Sequence, residues 1–367
     1  MGSSTKLRAL TTLGLVALAG ALTIFVGARF ALLMLIGIGL GFVLERFGFG
    51  FAGPWRRWIR ERNPQGVIAQ CWAIGLTAVV IQPLIASQDS LIGAIGPVSL
   101  TMALAAAVFG LAMQLILGCG SGTLVNAGSG NLVALVALPA FCVGSFVGSL
   151  WVPAAVAATP HVPVDLTQEF GVAGSLAITL SLLAVLAALA AWRGRTGAIN
   201  RRLLIAASWV AVLAIAHVLV AGQPWGVVYG LGLWVAKIAL PLGWDPAGAA
   251  FWTSPVNAQA LTQSVLTDVT SLTSIGLMMG AAMAAWRGVK GQPLLPAIRW
   301  PLYGVVLVAG LVLGISSRLA FGCNVGALFS GIASGSLHGW VWLVCGFAGS
   351  VVGVQIRDRL WAWGTRA

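Results

Sequence analysis

Charge is what this 367-residue chain has least of, and acid least of all: eight Asp and Glu stand against 20 Lys and Arg, and charged residues make up 8% of the whole. A soluble globular protein carries about 25% charged residues. At 59% hydrophobic and a mean hydropathy of +0.99, the chain lacks the polar surface that would cover a water-soluble core. It has three histidines and no His/Cys/Asp/Glu grouping at metal-ligand spacing, so no metal is expected. Its five cysteines include no CxxC pair, which argues against a disulfide framework. There is neither a Walker motif nor a dinucleotide fingerprint, so no cofactor is expected.

What the chain does have is apolar spans, read at about 10–28, 30–46, 67–86, 99–117, 132–157, 171–192, 203–221, 226–242, 269–287, 300–317 and 337–356. The stretches 47–60 and 243–263 read as short or re-entrant pieces. The spans lack the ten-residue alternation of a membrane barrel, and backbone groups in lipid must be satisfied within their own segment. The fold class expected is therefore all-α: a polytopic inner-membrane protein with broken helices. Lys6 and Arg8 precede the first span, which reads as an uncleaved segment because no polar mature start follows it.

The net charge of +12 invites a nucleic-acid reading, which the placement of the charges excludes. Sixteen basic residues cluster in five places: Lys6/Arg8, Arg56–Arg62, Arg193–Arg202, Arg287–Arg299 and Arg357–Arg366. Asp89, Asp165, Glu169, Asp245 and Asp268 lie in other connections that contain no Lys or Arg. This is the positive-inside asymmetry, and it places both termini and the basic loops in the cytoplasm. Tryptophans near segment ends fit an interfacial belt.

Two glycine-rich breaks repeat. One reads Gly118-Cys119-Gly120-Ser121-Gly122-Thr123-Leu124, the other Gly322-Cys323-Asn324-Val325-Gly326-Ala327-Leu328, with the cysteines 204 residues apart. Gly110 aligns with Gly314 and Gln114 with Arg318; after one inserted residue, Ser129-Gly130 aligns with Ser334-Gly335 and Gly144-Ser145 with Gly349-Ser350. By charge placement the Cys119 hairpin starts and ends outside and the Cys323 hairpin starts and ends inside. Two similar units entering from opposite faces are expected of inverted transporter repeats with a site near the midplane. The division expected is 1–192 and 193–367, with broken helices at 118–131 and 322–336.

Glycine in each break lets the backbone turn and approach a ligand, and a half-helix starting there aims positive dipole at an anion. A thiol adds a soft donor. A single Gly-Cys-Gly would read as helix packing; the duplicated one reads as a site. Cys71, Cys142 and Cys345 lack counterparts and read as core, and His217 and His338 as packed, neutral residues. Arg318, in an apolar span, reads equally as an anion contact or a snorkelling side chain. Glu45-Arg46 reads as a local ion pair, and Lys237 as a possible cavity residue.

The two cysteine hairpins, with Gly41-Phe42-Val43-Leu44-Glu45-Arg46-Phe47-Gly48-Phe49-Gly50, resemble the YeeE/YedE sulphur-transport family over most of the chain. Thiosulfate transporters of that family imply an hourglass-shaped protein whose central path is lined by cysteines that pass the anion along by S–H hydrogen bonds. The resemblance carries onto Cys119 and Cys323. A third family cysteine is expected in the segment that here reads Phe49-Gly50-Phe51-Ala52-Gly53-Pro54-Trp55-Arg56, and Gly50 stands in its place. The resemblance also implies a cytosolic TusA-like sulphur-carrier partner. The substrate-binding set expected is Cys119, Cys323, Gly118, Gly120, Gly122, Gly322, Asn324, Gly326, Gly50 and Arg318. The function expected is uptake of a small sulphur-containing anion such as thiosulfate, by a transporter and not an enzyme. The alternatives are another sulphur or selenium species, a membrane thiol oxidoreductase using the two cysteines as a redox pair, and a non-sulphur carrier in which they only pack.

Overall fold

The computed structural model describes residues 14, 17, 19–286 and 300–364. The start of the first expected span, and the basic residues Lys6, Arg8, Arg287, Lys290, Arg299 and Arg366, lie outside the described residues. Among those described, nine helices are long and apolar enough to cross a membrane, and a shorter apolar helix covers Val228–Leu242. The only strands there are two-residue pieces. The protein is an all-α polytopic membrane protein.

In chain order the helices are α1 (Ala28–Phe47), α2 (Ala52–Glu61), α3 (Gln65–Ser87), α4 (Leu100–Leu115), α5 (Gly120–Gly128), α6 (Leu132–Ala158), α7 (Leu166–Trp192), α8 (Arg201–Ala221) and α9 (Val228–Ala239). They continue as α10 (Ala250–Thr253), α11 (Pro255–Thr262), α12 (Val269–Trp286), α13 (Trp300–Leu319), a π-helical stretch (Asn324–Phe329), α14 (Ser330–Ala333) and α15 (Leu337–Gly364). The stretches 47–60 and 243–263 hold short helices, α2 in one and α10 and α11 in the other, as their composition predicts.

Helix association in lipid depends on close packing by small residues, and several of the close approaches here come in equivalent pairs. The largest helix contacts include α4 on α15 and α6 on α13. A β-carbon placed on Gly349 would lie 1.8 Å from the Ala107 carbonyl oxygen; one on Gly144 would lie 2.1 Å from that of Leu311. Gly353 meets Leu111 as Gly148 meets Ile315, and Gly110 meets Gly346 as Gly314 meets Phe141. Each pair is the other shifted along the chain by the register of the two breaks.

β1 (Pro97–Val98) and β2 (Val162–Pro163) pair antiparallel, so the hairpin of α4, α5 and α6 begins and ends at one end of the molecule. The tip of the second hairpin reaches that same end: Leu166 N–H donates to the Gly335 carbonyl and Leu337 N–H to that of Val164. At the opposite end, Arg60 Nε pairs with Asp358 Oδ2 at 3.1 Å, tying α2 to the last turns of α15.

Several single-residue expectations resolve here. Cys71 and Cys142 are buried in the main core and Cys345 packs against it. His217 is buried, with ring nitrogens 3.2 Å from the Gln223 carbonyl and 3.1 Å from Thr273 Oγ1. The Lys237 ammonium donates to the Leu261 and Gln263 carbonyls and holds the end of α11 to α9. Among the described residues, Glu45 and Arg46 form no ion pair; Glu45 borders a cavity instead.

Candidate functional site

The two breaks share one backbone conformation. Leu117 and Phe321 both adopt left-handed φ values, of 64° and 54°. The next residue closes each helix end by a six-residue bond, Gly118 N–H to the Met113 carbonyl and Gly322 N–H to the Ser317 carbonyl. A left-handed conformation costs a branched or bulky residue about 1–2 kcal/mol, so the surrounding packing must hold it. Gly322 leaves no space for a side chain and Gly118 little: a β-carbon would come 2.6 Å from Ala327 N in the one and 3.0 Å from Thr123 N in the other. Cys119 (φ −82°, ψ −169°) and Cys323 (φ −98°, ψ −168°) then occupy matching N-cap positions. Their carbonyls accept from Thr123 N–H and Ala327 N–H, each at 2.8 Å.

The breaks differ at one place. The residue inserted in the second break lies where the helix becomes π-helical, with Ser330 N–H reaching back to the Val325 carbonyl. One extra residue in a helical turn is absorbed by an i→i+5 bond, and such turns are frequent at functional sites.

The two breaks meet at Gly120 and Cys323. Cys119 Sγ accepts from Gly122 N–H at 3.4 Å and lies 3.5 Å from Ser121 Oγ. Cys323 Sγ lies against the next residue of the first break; a β-carbon on Gly120 would be 2.8 Å from it. Both cysteines are buried. Asn324, beside Cys323, is fully buried, and neither Nδ2 nor Oδ1 has a hydrogen-bond partner. A buried amide left unpaired costs about 1–3 kcal/mol per group.

A cavity flanks each thiol. The smaller, about 170 Å³, is bordered by Cys119, Gly118, Ser121 and Gly122 and by the loop that carries Gly50. Glu45, Arg57 and Asn126 also line it. Gly50 therefore does sit in the wall beside Cys119, and a β-carbon there would meet no atom within 4 Å. The loop is held by Gln70, whose Nε2 donates to the Gly50 and Phe51 carbonyls at 2.7 and 3.2 Å while its Oε1 accepts from Trp55 Nε1 at 3.0 Å. The sequence reading missed Gln70, because a lone glutamine in an apolar helix carries no motif.

The larger cavity, about 490 Å³, is bordered by Cys323, Gly322, Gly326 and Arg318. Arg318 stacks between two aromatic rings. Its guanidinium carbon lies 4.5 Å from the Phe251 ring centroid and 5.6 Å from that of Tyr229, and Nε is buried without a partner. Cation–π contacts from two rings hold the planar group in place. Its aligned counterpart ahead of the first break, Gln114, instead donates from Nε2 to the Ala52 carbonyl at 3.3 Å. His338, read as a packed residue, also borders this cavity. Of the expected set, Gly118, Cys119, Gly122 and Gly50 line one cavity and Gly322, Cys323, Gly326 and Arg318 the other. Gly120 abuts Cys323 between them, and Asn324 is sealed beside it. Among the described residues, no three His, Cys, Asp or Glu side chains group as metal ligands.

Residues 46–352 match the protein family described as Sulphur transport. Two curated relatives align over a shorter stretch. The "Probable transporter YedE" of Escherichia coli (strain K12) is 30% identical over 95 residues, which is 26% of this chain and 23% of that protein. Its namesake in Salmonella typhimurium (strain LT2) is 31% identical over 90 residues, 24% of this chain and 22% of that protein. The matched stretch thus spans less than a quarter of either relative's length. A multi-pass helical membrane protein, matched across both of its cysteine breaks, is the result, and the chain belongs to the sulphur-transport family of membrane transporters.

Proposed function

We propose that this protein carries a small sulphur-containing anion, thiosulfate, across the bacterial inner membrane, with Cys119 and Cys323 contacting it in turn. The observation that carries this reading is the junction itself: a thiol on each side, a cavity beyond each thiol, and a residue without a side chain between them. Thiosulfate has one soft sulphur and three hard oxygens. A thiol donor beside backbone N–H groups at the start of a half-helix suits both ends of it. Sulphate lacks the soft end and gains less from the thiols. Arg318 supplies positive charge to the larger cavity, a favourable partner for an anion drawn out of water.

The halves 1–192 and 193–367 act as inverted repeats in this reading. The equivalent glycine crossings and the docking of the second hairpin's tip at the ends of the first support it. The basic segments at Arg56–Arg62, Arg193–Arg202 and Arg357–Arg359 support a cytoplasmic location for the end that holds the Arg60–Asp358 pair and for both termini. The smaller cavity, bordered by Arg57, then faces the cytoplasm, where a TusA-like carrier would receive the sulphur. With Gly50 in the wall, the relay has two thiols instead of three.

The test is uptake of labelled thiosulfate by cells or proteoliposomes containing the wild type, Cys119→Ala or Cys323→Ala. Loss of uptake in each variant, with the protein still folded, is expected. Normal uptake in both sinks the relay. A wild type that moves another sulphur or selenium species but not thiosulfate keeps the transporter and changes its substrate.

A further inference from the structure

His338 has one ring nitrogen fully engaged and the other idle. Gly96 N–H donates to Nδ1 at 3.1 Å, and Ser336 Oγ lies 2.7 Å from the same nitrogen. A backbone N–H can only donate, so Nδ1 presents its lone pair, and the neutral ring carries its proton on Nε2. Nε2 has no partner, although the residue is 1% exposed. The ring fills the space left by two glycines. A β-carbon on Gly96 would lie 2.8 Å from Cδ2 on one side, and one on Gly331 would lie 2.8 Å from Cε1 on the other. Ala94 N–H also donates to Ser334 Oγ at 3.1 Å, which fastens the segment bearing Gly96 to the hairpin tip just before His338. His338 and Gly96 both border the larger cavity, with Cys323 and Arg318.

We propose that His338 is a specificity-determining residue of the larger cavity, presenting Nε2–H to an oxygen of a bound sulphur oxyanion; this rests on the transport reading above. A buried N–H with its tautomer fixed and its partner missing is held ready for an acceptor that is not part of the protein. The donor is neutral, so it adds direction without adding charge. A transport site benefits from that division, because an anion held by several fixed cations would not leave. Arg318 supplies attraction, Cys323 recognises soft sulphur, and His338 reads an oxygen.

Two substitutions separate this role from mere packing. Gln at 338 puts an N–H donor near the position of Nε2 but gives up the acceptor for Gly96. Asn keeps an acceptor near the position of Nδ1 and loses the outward donor. Thiosulfate uptake kinetics and thiosulfate-dependent thermal shifts of the purified protein are measured for wild type, His338→Gln and His338→Asn. His338→Asn is expected to raise KM about 3- to 10-fold with little change in maximal rate, the loss of one hydrogen bond. His338→Gln is expected to stay within about twofold of wild type. The reverse order, with Gln impaired and Asn normal, means that Nδ1 only holds the fold and overturns the proposal; so does an Asn variant with unchanged KM and thermal shift. If the Asn variant does not fold, the Gln variant decides alone: a KM raised tenfold overturns the proposal and a KM near wild type supports it. A wild type that neither binds nor moves thiosulfate overturns the transport reading and this one with it, whereas normal wild-type binding with an unaffected His338→Asn overturns this one only.

Discussion

Gly120 and Cys323 touch where the two breaks meet, with no room for a methyl group on Gly120: a β-carbon there would lie 2.8 Å from Cys323 Sγ and 3.1 Å from Val227 Cγ2. Gly120→Ala improves local helix propensity and still crowds the thiol. Overpacking of this kind costs about 1–3 kcal/mol. The variant is expected to fold with a lowered melting temperature and to lose at least about tenfold in uptake, the effect of a barrier raised by 1.4 kcal/mol. Normal uptake by a Gly120→Ala protein places the substrate path elsewhere.

Asn324 gives a prediction of opposite sign for stability and function. Leu has a similar volume and no polar atoms to leave unpaired. Asn324→Leu is expected to stabilise the protein by about 1–3 kcal/mol, the cost of one buried unsatisfied group, and to lower uptake. Thermal melting in detergent and uptake in vesicles check the two halves of the statement separately. A variant that melts lower and transports normally makes Asn324 a structural residue.

Gly50 stands where a family cysteine is expected, and the wall has space for one. Gly50→Cys meets no atom within 4 Å at its β-carbon and disturbs neither Gln70 contact, which use backbone carbonyls. Its stability is expected within about 0.5 kcal/mol of wild type, and its thiosulfate uptake is expected to rise. Melting, uptake and labelling of the new thiol by a small reagent check the prediction. Unfolding of the variant contradicts the geometry of this loop.

The crossings of α4 with α15 and of α6 with α13 are expected to respond alike. Gly349→Ala drives a methyl into the Ala107 carbonyl, as Gly144→Ala does into that of Leu311. Each is expected to cost about 1–3 kcal/mol, because backbone atoms cannot step aside. The double variant should lose the sum if the crossings are independent sites. Melting temperatures of the two single variants that differ widely contradict the equivalence of the crossings.

The sequence carried these glycine pairs and the cysteine breaks because their roles restrict residue type. Only glycine fits where a carbonyl sits under 2.2 Å from a β-carbon position, so Gly144 and Gly349 stayed recognisable. The left-handed turns were hidden: Leu117 and Phe321 are residues that do not announce positive φ. The π-helical turn left one trace, the inserted residue, whose meaning needs the backbone. His338 was read as merely packed because its tautomer is fixed by Gly96, 242 residues away in sequence. Gln70 was missed for a similar reason, since it acts on carbonyls that no motif records.

Cys323 borders the larger cavity and Cys119 the smaller. Where water penetrates a membrane protein from both sides, the transmembrane voltage drops mostly across the dry part that remains. Each unit charge crossing the full potential changes energy by about 2.3 kcal/mol per 100 mV. On the proposed path, a doubly charged anion moving toward a negative interior would meet part of that electrical work at the step past Cys119 and Cys323.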